Sequence, residues 1–248
     1  MYAPRTYRNR IHSPRLKSFR VVVQETDLFV SASRDFTDIT REMILRYRGY
    51  IEKFIHRHPD FLDSLTPLKY NEPAPKIVAD MLDAALKTGV GPMAAVAGAI
   101  AENVGRELLD FTEEVIVENG GDVFIKSNHP VTIAIFANRS PLSMRIGLRI
   151  EPPNGPTAIC TSSGTVGHSM SFGKADAVCV VSPSCSLADA AATAIGNRVQ
   201  QKSDIGPALE LGKKIRRVNG IVIIKDDKIG MWGDLNFVPL PATDGKKG

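Results

Sequence analysis

Near residue 113 the chain changes its periodicity, and that change restricts its fold more than any other feature. Before it, apolar residues recur at helical spacing. Over 35–58 they fall at Phe36, Ile39, Met43, Ile44, Tyr47, Ile51, Phe54 and Ile55, with charged residues on the other face. This pattern predicts an amphipathic helix that ends before Pro59. A proline-containing link around 71–75 leads to a second helix over 76–87. Gly91-Pro92-Met93 then opens a third, whose start is unusually rich in small residues. Small side chains serve either close ligand approach or tight helix–sheet packing, and the sequence leaves both open. Beyond the change, strand-like runs follow at 114–118, 122–126, 132–137, 144–150, 156–161 and 175–181. Several alternate apolar and polar residues, as a sheet with a covered face requires. Between two of them, Asn119-Gly120-Gly121 supplies the positive φ angles of a tight connection.

A hairpin at the start (19–24 and 28–31, split by Glu25-Thr26-Asp27) and another at the end (220–225 and 228–232) frame these segments. Helices over 186–201 and 205–215 precede the last hairpin. The expected class is α+β, a mixed or antiparallel sheet packed with helices. No repeat and no long linker divides the chain. The expected organisation is therefore a basic arm over 1–18, one domain over 19–240 and a polar tail over 241–248.

With 248 residues, 43% of them hydrophobic, the chain can bury a large core without a disulfide or metal to staple it. No apolar run approaches the ~18 residues of a membrane span, and the basic N-terminus has no apolar stretch behind it, so no membrane partner is expected. Three cysteines, Cys160, Cys179 and Cys185, read as free thiols in a reducing compartment, which points to the cytoplasm. The net charge of +4 comes from the ends: Arg5, Arg8, Arg10, Arg15, Lys17 and Arg20 precede any acidic residue, and Lys246 and Lys247 lie in the tail. The body is slightly acidic, which argues against nucleic acid as its ligand. The arm is a solvated tail or a segment that packs on a protein partner, including a second subunit in a homodimer; contact with RNA or an acidic partner is the alternative.

The segment SLADAAATAIGN carries the sharpest chemical signal. Asp189 and Thr193 lie one helical turn apart with only alanines between, which leaves their face open. A carboxylate and a hydroxyl so placed suit Mg²⁺, which takes oxygen ligands and often shares them with phosphates. The alternative is that Asp189 caps a turn and Thr193 packs. Residues 159–173, ICTSSGTVGHSMSFG, place hydroxyls and glycines after a strand, as a loop holding phosphate or ribose oxygens would. His168 there can orient a ligand or exchange a proton near neutral pH. Neither a GxGxxG nor a Walker sequence is present. Cys185, just before the Asp189 helix, is placed for a thiol pKa lowered by the helix N-terminus.

In this order the pieces resemble the ApbE-like superfamily, best known for FAD:protein FMN transferases. Residues 95–101 (AVAGAIA) look like its small-residue GIAKGYA helix opening. Asn119-Gly120-Gly121-Asp122-Val123 is similar to its glycine turn, and Thr161-Ser162-Ser163-Gly164 with His168 to its ATSG…H segment. Residues 187–194 (LADAAATA) resemble its ADALATA helix, the most specific of the four. The resemblance implies that Asp189, Thr193 and the Ala97 carbonyl hold Mg²⁺ against the pyrophosphate of FAD. It further implies that Ala97, Gly98, Asn119, Gly120, Gly121, Asp122, Thr161, Ser162, Ser163 and Gly164 line the flavin site, with His168 catalytic. There are departures. Gly98 stands where the transferases have lysine, and after His168 the aspartate and proline of the transferase pattern are lost. The likeness is closer to a short branch from archaea and anaerobes associated with sulfide assimilation into homocysteine. Two readings follow: a Mg²⁺- and FAD-using transferase-like enzyme, or a flavin- or nucleotide-binding accessory protein beside a sulfur-transfer partner. A third, sulfur chemistry at Cys160 or Cys185, stays open.

Overall fold

The computed structural model describes residues 15–152, 155–163 and 172–241. In chain order its strands are β1 (Lys17–Val23), β2 (Thr26–Ala32), β3 (Val115–Asn119), β4 (Asp122–Lys126), β5 (Val131–Ala134), β6 (Ile146–Ile150), β7 (Thr157–Ser162), β8 (Ala177–Ser182), β9 (Gly220–Lys225), β10 (Lys228–Gly233) and β11 (Asn236–Pro239). The helices are α1 (Thr37–Arg57), α2 (Asp60–Asp63), α3 (Lys76–Thr88), α4 (Val96–Leu108), α5 (Cys185–Gly196) and α6 (Ile205–Gly212), with a 3₁₀ turn, Pro92–Ala95, leading into α4. Eight strands form one sheet in the order β1-β2-β3-β4-β7-β8-β9-β10, and three form another in the order β11-β6-β5. All neighbouring strands are antiparallel. This is the expected α+β class.

The period of two in the central strands sorts their side chains into two cores. Val115, Val117, Phe124, Ala158, Cys160, Val178, Val180, Ile221 and Ile223 join the helices on one face. Ile116, Val123, Ile125, Ile159, Cys179, Val181, Val222 and Ile224 turn the other way and pack with Val131, Ile133 and Leu148 of the small sheet. The arrangement is helices, large sheet, small sheet, and it explains why β8 is buried along its whole length. Each fully buried Ile, Leu or Phe contributes about 1.5–3 kcal/mol of hydrophobic stabilisation. No single described helix is long and apolar enough to cross a membrane.

Several boundaries differ from the sequence expectation. The first hairpin turns at Gln24-Glu25, with Gln24 at φ 51°, rather than at 25–27. Thr26 and Asp27 instead pair in β2, where Asp27 takes a two-pronged contact from Arg20 across the strands. Lys17 and Ser18 belong to β1. Pro59 stops α1 as expected but also opens α2, which the periodicity did not reveal. The helix after residue 184 ends at Gly196, not near 201. There Gly173 crosses so closely that a Cβ on it would lie 1.8 Å from the Gly196 carbonyl oxygen. Strand β11 carries no alternation in sequence and exists because β6 offers it a partner.

Candidate functional site

Helices α4 and α5 pack beside each other, and each supplies the carboxylate that caps the other. Asp189, in the second turn of α5, accepts the Gly98 N–H through Oδ2 at 2.9 Å in the first turn of α4. The residue preceding α4, Ala95, has no side chain able to cap it. In return Glu102 of α4 accepts the N–H groups of Cys185 (2.7 Å) and Ser186 (3.3 Å) and the Ser184 hydroxyl (3.2 Å) at the start of α5. Its second oxygen takes two bonds from Arg106. Helix N-termini present unpaired N–H groups and favour negative charge. This exchange therefore satisfies buried donors that water cannot reach.

The approach requires glycine. A Cβ on Gly98 would lie 2.4 Å from the Cys185 carbonyl oxygen and 2.9 Å from the Asp189 Cβ. The alanines of α5 serve the same end. Residues 185–196 are buried except Asp189, and Asp189 itself is only partly exposed. The face expected to stand open is thus packed against neighbouring elements, because a strip of alanines lets helices and sheet come close on all sides. Asp189 does cap a helix, but α4 and not its own.

Asp122 completes the cluster. It opens β4 opposite Cys160 of β7 and is buried on the helix side of the sheet, the side of Phe124. Burial holds its carboxyl well above the usual carboxylate range and the nearby Asp189 charge raises it further. A bond with Cys160 and the Thr161 N–H act the other way, while Glu118 adds to the rise. Burial pushes the Asp189 carboxyl up to about 7, against the opposing pull of the Gly98 and Ala97 N–H groups. Among the described residues neither carboxylate has a Lys or Arg ion-pair partner.

The glycine turn feeds the same junction. Gly120 (φ 69°) and Gly121 (φ 117°) hold the conformation that only glycine adopts readily, as their sequence predicts. Buried Glu118 fixes the turn by accepting the Gly121 N–H at 3.0 Å. Asn119 Nδ2 donates to the Ala97 carbonyl at 3.1 Å. Thr193, one turn beyond Asp189, is buried, and its hydroxyl makes no hydrogen bond to a described residue. Ala97, Gly98, Asn119, Asp122 and Asp189 are thereby brought together from four elements.

Other expected residues lie differently. The Thr161 side chain faces the opposite layer, beside Cys179, and only its backbone bears on Asp122. Ser162 and Ser163 stand half-buried at the end of β7. Gly164 and His168 lie outside the described residues. The sequence reading missed Glu102 and Glu118. Both are acids within otherwise apolar or small-residue runs, the one signal that buried donors were waiting for them. A cavity of about 570 Å³ lined by Tyr50, Glu52, Lys53, His56, Arg57 and Pro75 shares no residue with the cluster.

The thiols are not activated. Cys160 Sγ and Cys185 Sγ are 3.4 Å apart and fully buried. Burial pushes Cys185 up to about 11, and Asp122, Glu102 and Asp189 add to the rise, with the Cys160 contact opposing them. Cys160 lies well above the thiol range, chiefly through burial. The expected lowering of Cys185 fails chiefly because the thiol is fully buried, and the carboxylates around it, Glu102 at the helix N-terminus among them, add to the rise.

Among the described residues no three His, Cys, Asp or Glu side chains are set to hold a metal. The donors at hand are all oxygens: the Asp189 and Asp122 carboxylates, the Thr193 hydroxyl and the Ala97 carbonyl. Such an all-oxygen set, with no Lys or Arg paired to its carboxyls among the described residues, fits a hard divalent cation such as Mg²⁺.

Comparison with known proteins gives a consistent relationship. A family model described as AbpE bacteria matches residues 8–225. A UPF0280 protein of Methanocella arvoryzae is 40% identical over 232 residues, covering 93% of this chain and 94% of the relative. Another, of Methanococcus aeolicus, is 37% identical over 222 residues, covering 87% and 90%. Among solved structures, the apo flavinyl transferase ApbE of Pseudomonas stutzeri superposes with a TM-score of 0.55 at 14% identity, covering 88% of this chain and 93% of that one. That last likeness is one of fold.

Proposed function

Since the chain belongs to the AbpE bacteria family, in the archaeal UPF0280 branch of ApbE-like proteins, we propose that it binds a flavin dinucleotide, FAD, together with Mg²⁺ where α4, α5 and the β3–β4 turn meet. One observation carries the reading: buried Asp122 and partly exposed Asp189 lie near enough to act on each other's charge, and among the described residues neither has a Lys or Arg ion-pair partner. A divalent cation held there would balance the charge of the site and, as a Lewis acid, would polarise a bound diphosphate. Asp189, Thr193 and the Ala97 carbonyl are the proposed ligands. The Asn119 amide orients the carbonyl, and the Gly98 N–H orients the carboxylate. Gly120 and Gly121 keep side chains away from the turn, so a ligand phosphate can approach the backbone. Ser162, Ser163 and the Thr161 backbone stand at the end of β7 and are proposed to border the ligand; Gly164, as a further lining residue, and His168, for proton exchange, are proposed from the family likeness alone. The reaction class of this reading is transfer of FMN from FAD to a protein hydroxyl: a phosphoester bond forms to the hydroxyl oxygen, the pyrophosphate P–O bond breaks, AMP leaves, and the hydroxyl proton passes to a base or to solvent.

A second reading has its own observation. The position where the transferases carry lysine is Gly98, and the α4–α5 contact leaves no room there for any side chain. This favours a flavin- or nucleotide-binding accessory protein without transferase activity, working beside a sulfur-transfer partner in homocysteine formation. Calorimetric titration of FAD into wild type and Asp189→Asn, each with Mg²⁺ and with EDTA, tests the shared premise. Mg²⁺ should strengthen FAD binding to wild type far more than to the variant, by a coupling of about 1–3 kcal/mol. Equal Mg²⁺ dependence in the two proteins sinks the metal assignment. Incubation with FAD, Mg²⁺ and an acceptor peptide then separates the readings by whether flavin becomes covalently attached.

A further inference from the structure

Phe172, at 57% exposure, is the most exposed aromatic side chain among the described residues. A single apolar group at the surface is ordinary. What sets this one apart is how firmly its backbone is held. The Phe172 N–H donates to Asn197 Oδ1 at 2.9 Å, and its carbonyl accepts from Gln200 Nε2 at 2.6 Å. Gly173 lies hard against the Gly196 carbonyl, and the Lys174 N–H donates to the Val199 carbonyl at 2.7 Å. Three consecutive residues are thus fixed to the C-terminal end of α5, while no ring or cation among the described residues packs on the Phe172 ring. An aromatic group held still in the open is preorganised for a ligand, because little freedom is left to lose on binding.

Its anchor point belongs to the candidate site. Asp189, Thr193 and Asn197 follow one another at intervals of four along α5, and Asn197 keeps helical backbone at φ −59°, ψ −18°. Residues so spaced share a face. Asn197 therefore continues the stripe that carries the two proposed side-chain metal ligands, about 12 Å beyond Asp189 and about 6 Å beyond Thr193. The end of β7 meets it there. Ser162 pairs with Val178, whose side chain is on the helix side of the sheet, and a Cβ on Gly196 would touch that side chain at 3.6 Å. A diphosphate held at Asp189 and Thr193 has Phe172 one helical turn further on, a length that the ribityl arm of a flavin covers.

We propose that Phe172 is a specificity residue, the platform on which the isoalloxazine of the ligand stacks, so that the site takes flavin nucleotides in preference to nucleotides lacking that ring. The inference rests on the flavin reading above and names the residue that selects within it. Aromatic rings stack with an offset, face on face, and three fused rings cover a phenyl group more fully than a purine does. Phe172 lies in the stretch after His168 where the aspartate and proline of the transferase pattern are lost, so the platform is part of this chain's own departure from that pattern.

Calorimetric titrations of the full chain in Mg²⁺ test the assignment. Phe172→Ala should weaken FMN and FAD by roughly threefold to tenfold and leave unchanged the affinity for ADP, which has the diphosphate but no flavin. Phe172→Tyr keeps a ring and should bind both flavins as the wild type does. Phe172→Trp supplies a positive signal: an indole in contact with isoalloxazine quenches its emission, so bound FMN should be darker than on the wild type. The side chain is exposed, so each variant should melt with the wild type, and thermal melts verify this. A wild type that binds neither FMN nor FAD overturns the flavin reading itself, and the platform with it. Where the wild type does bind flavin, three results remove the platform alone. They are unchanged FMN affinity in Phe172→Ala, an equal loss for ADP and FMN, and FMN emission that Phe172→Trp leaves as bright as before.

Discussion

The Gly98 N–H donates to Asp189 Oδ2 at 2.9 Å across 91 positions of sequence. That bond ties the first turn of α4 to the second turn of α5 and aims the carboxylate toward Asp122. Its counterpart, Glu102 on the Cys185 N–H, ties the same helices in the other direction. Four consequences are open to measurement.

The first is a stability that falls as pH rises. The Asp189 carboxyl is pushed up to about 7, above its unfolded value near 4. Between those values the unfolded chain has released its proton while the native state keeps it. Stability therefore declines from about pH 4 to about pH 7 and then levels. Asp122 is shifted in the same direction. Urea unfolding in EDTA should give a lower midpoint at pH 8 than at pH 5. In Asp189→Asn, which still accepts the Gly98 N–H, the decline should shrink. A wild-type midpoint that rises across this window contradicts the burial argument.

A second concerns two glycines. Gly98→Ala places a Cβ against backbone that cannot move aside, and should cost about 1–3 kcal/mol or more. Gly49→Ala, within α1 and with nothing within 4 Å of the added carbon, should instead gain roughly 0.5–1 kcal/mol. Paired thermal melts give the two signs directly. A neutral Gly98→Ala would mean that the helices are not held this closely.

Glu102 supplies the third. Glu102→Ala strands the N–H groups of Cys185 and Ser186, and should cost about 1–3 kcal/mol in denaturant midpoint. Glu102→Gln keeps an acceptor oxygen and should recover part of that loss. If the two variants are equally unstable, charge at the helix terminus matters and the acceptor does not.

The fourth is thiol reactivity. All three cysteines are buried, with Cys185 pushed up to about 11 and Cys179 to about 12, burial being the main cause in both. An aromatic disulfide reagent at neutral pH should leave the native protein unmodified for as long as it stays folded. All three thiols should react at once in urea. Rapid labelling of Cys185 in the native state would revive a sulfur-handling role.

The sequence by itself determined the order and kind of most elements. The helical spacing from Phe36 to Ile55 yields α1, and alternation yields the central strands, because each needs only neighbours in the chain to show its period. Asn119-Gly120-Gly121 declared its turn for the same reason: positive φ is a local requirement. What the tertiary structure decided is everything that depends on a partner far along the chain. It set α5 in a closely packed interior rather than on a surface, since a row of alanines is compatible with both. It turned Asp189 toward α4 and Glu102 toward α5, although neither residue carries a local signal of the helix it caps. It sent the Thr161 side chain to the far face, because one step along a strand reverses direction. And it raised the Cys185 thiol that helix position alone would have lowered, because the tertiary packing buries it completely and brings a carboxylate from 83 positions away to the same helix terminus.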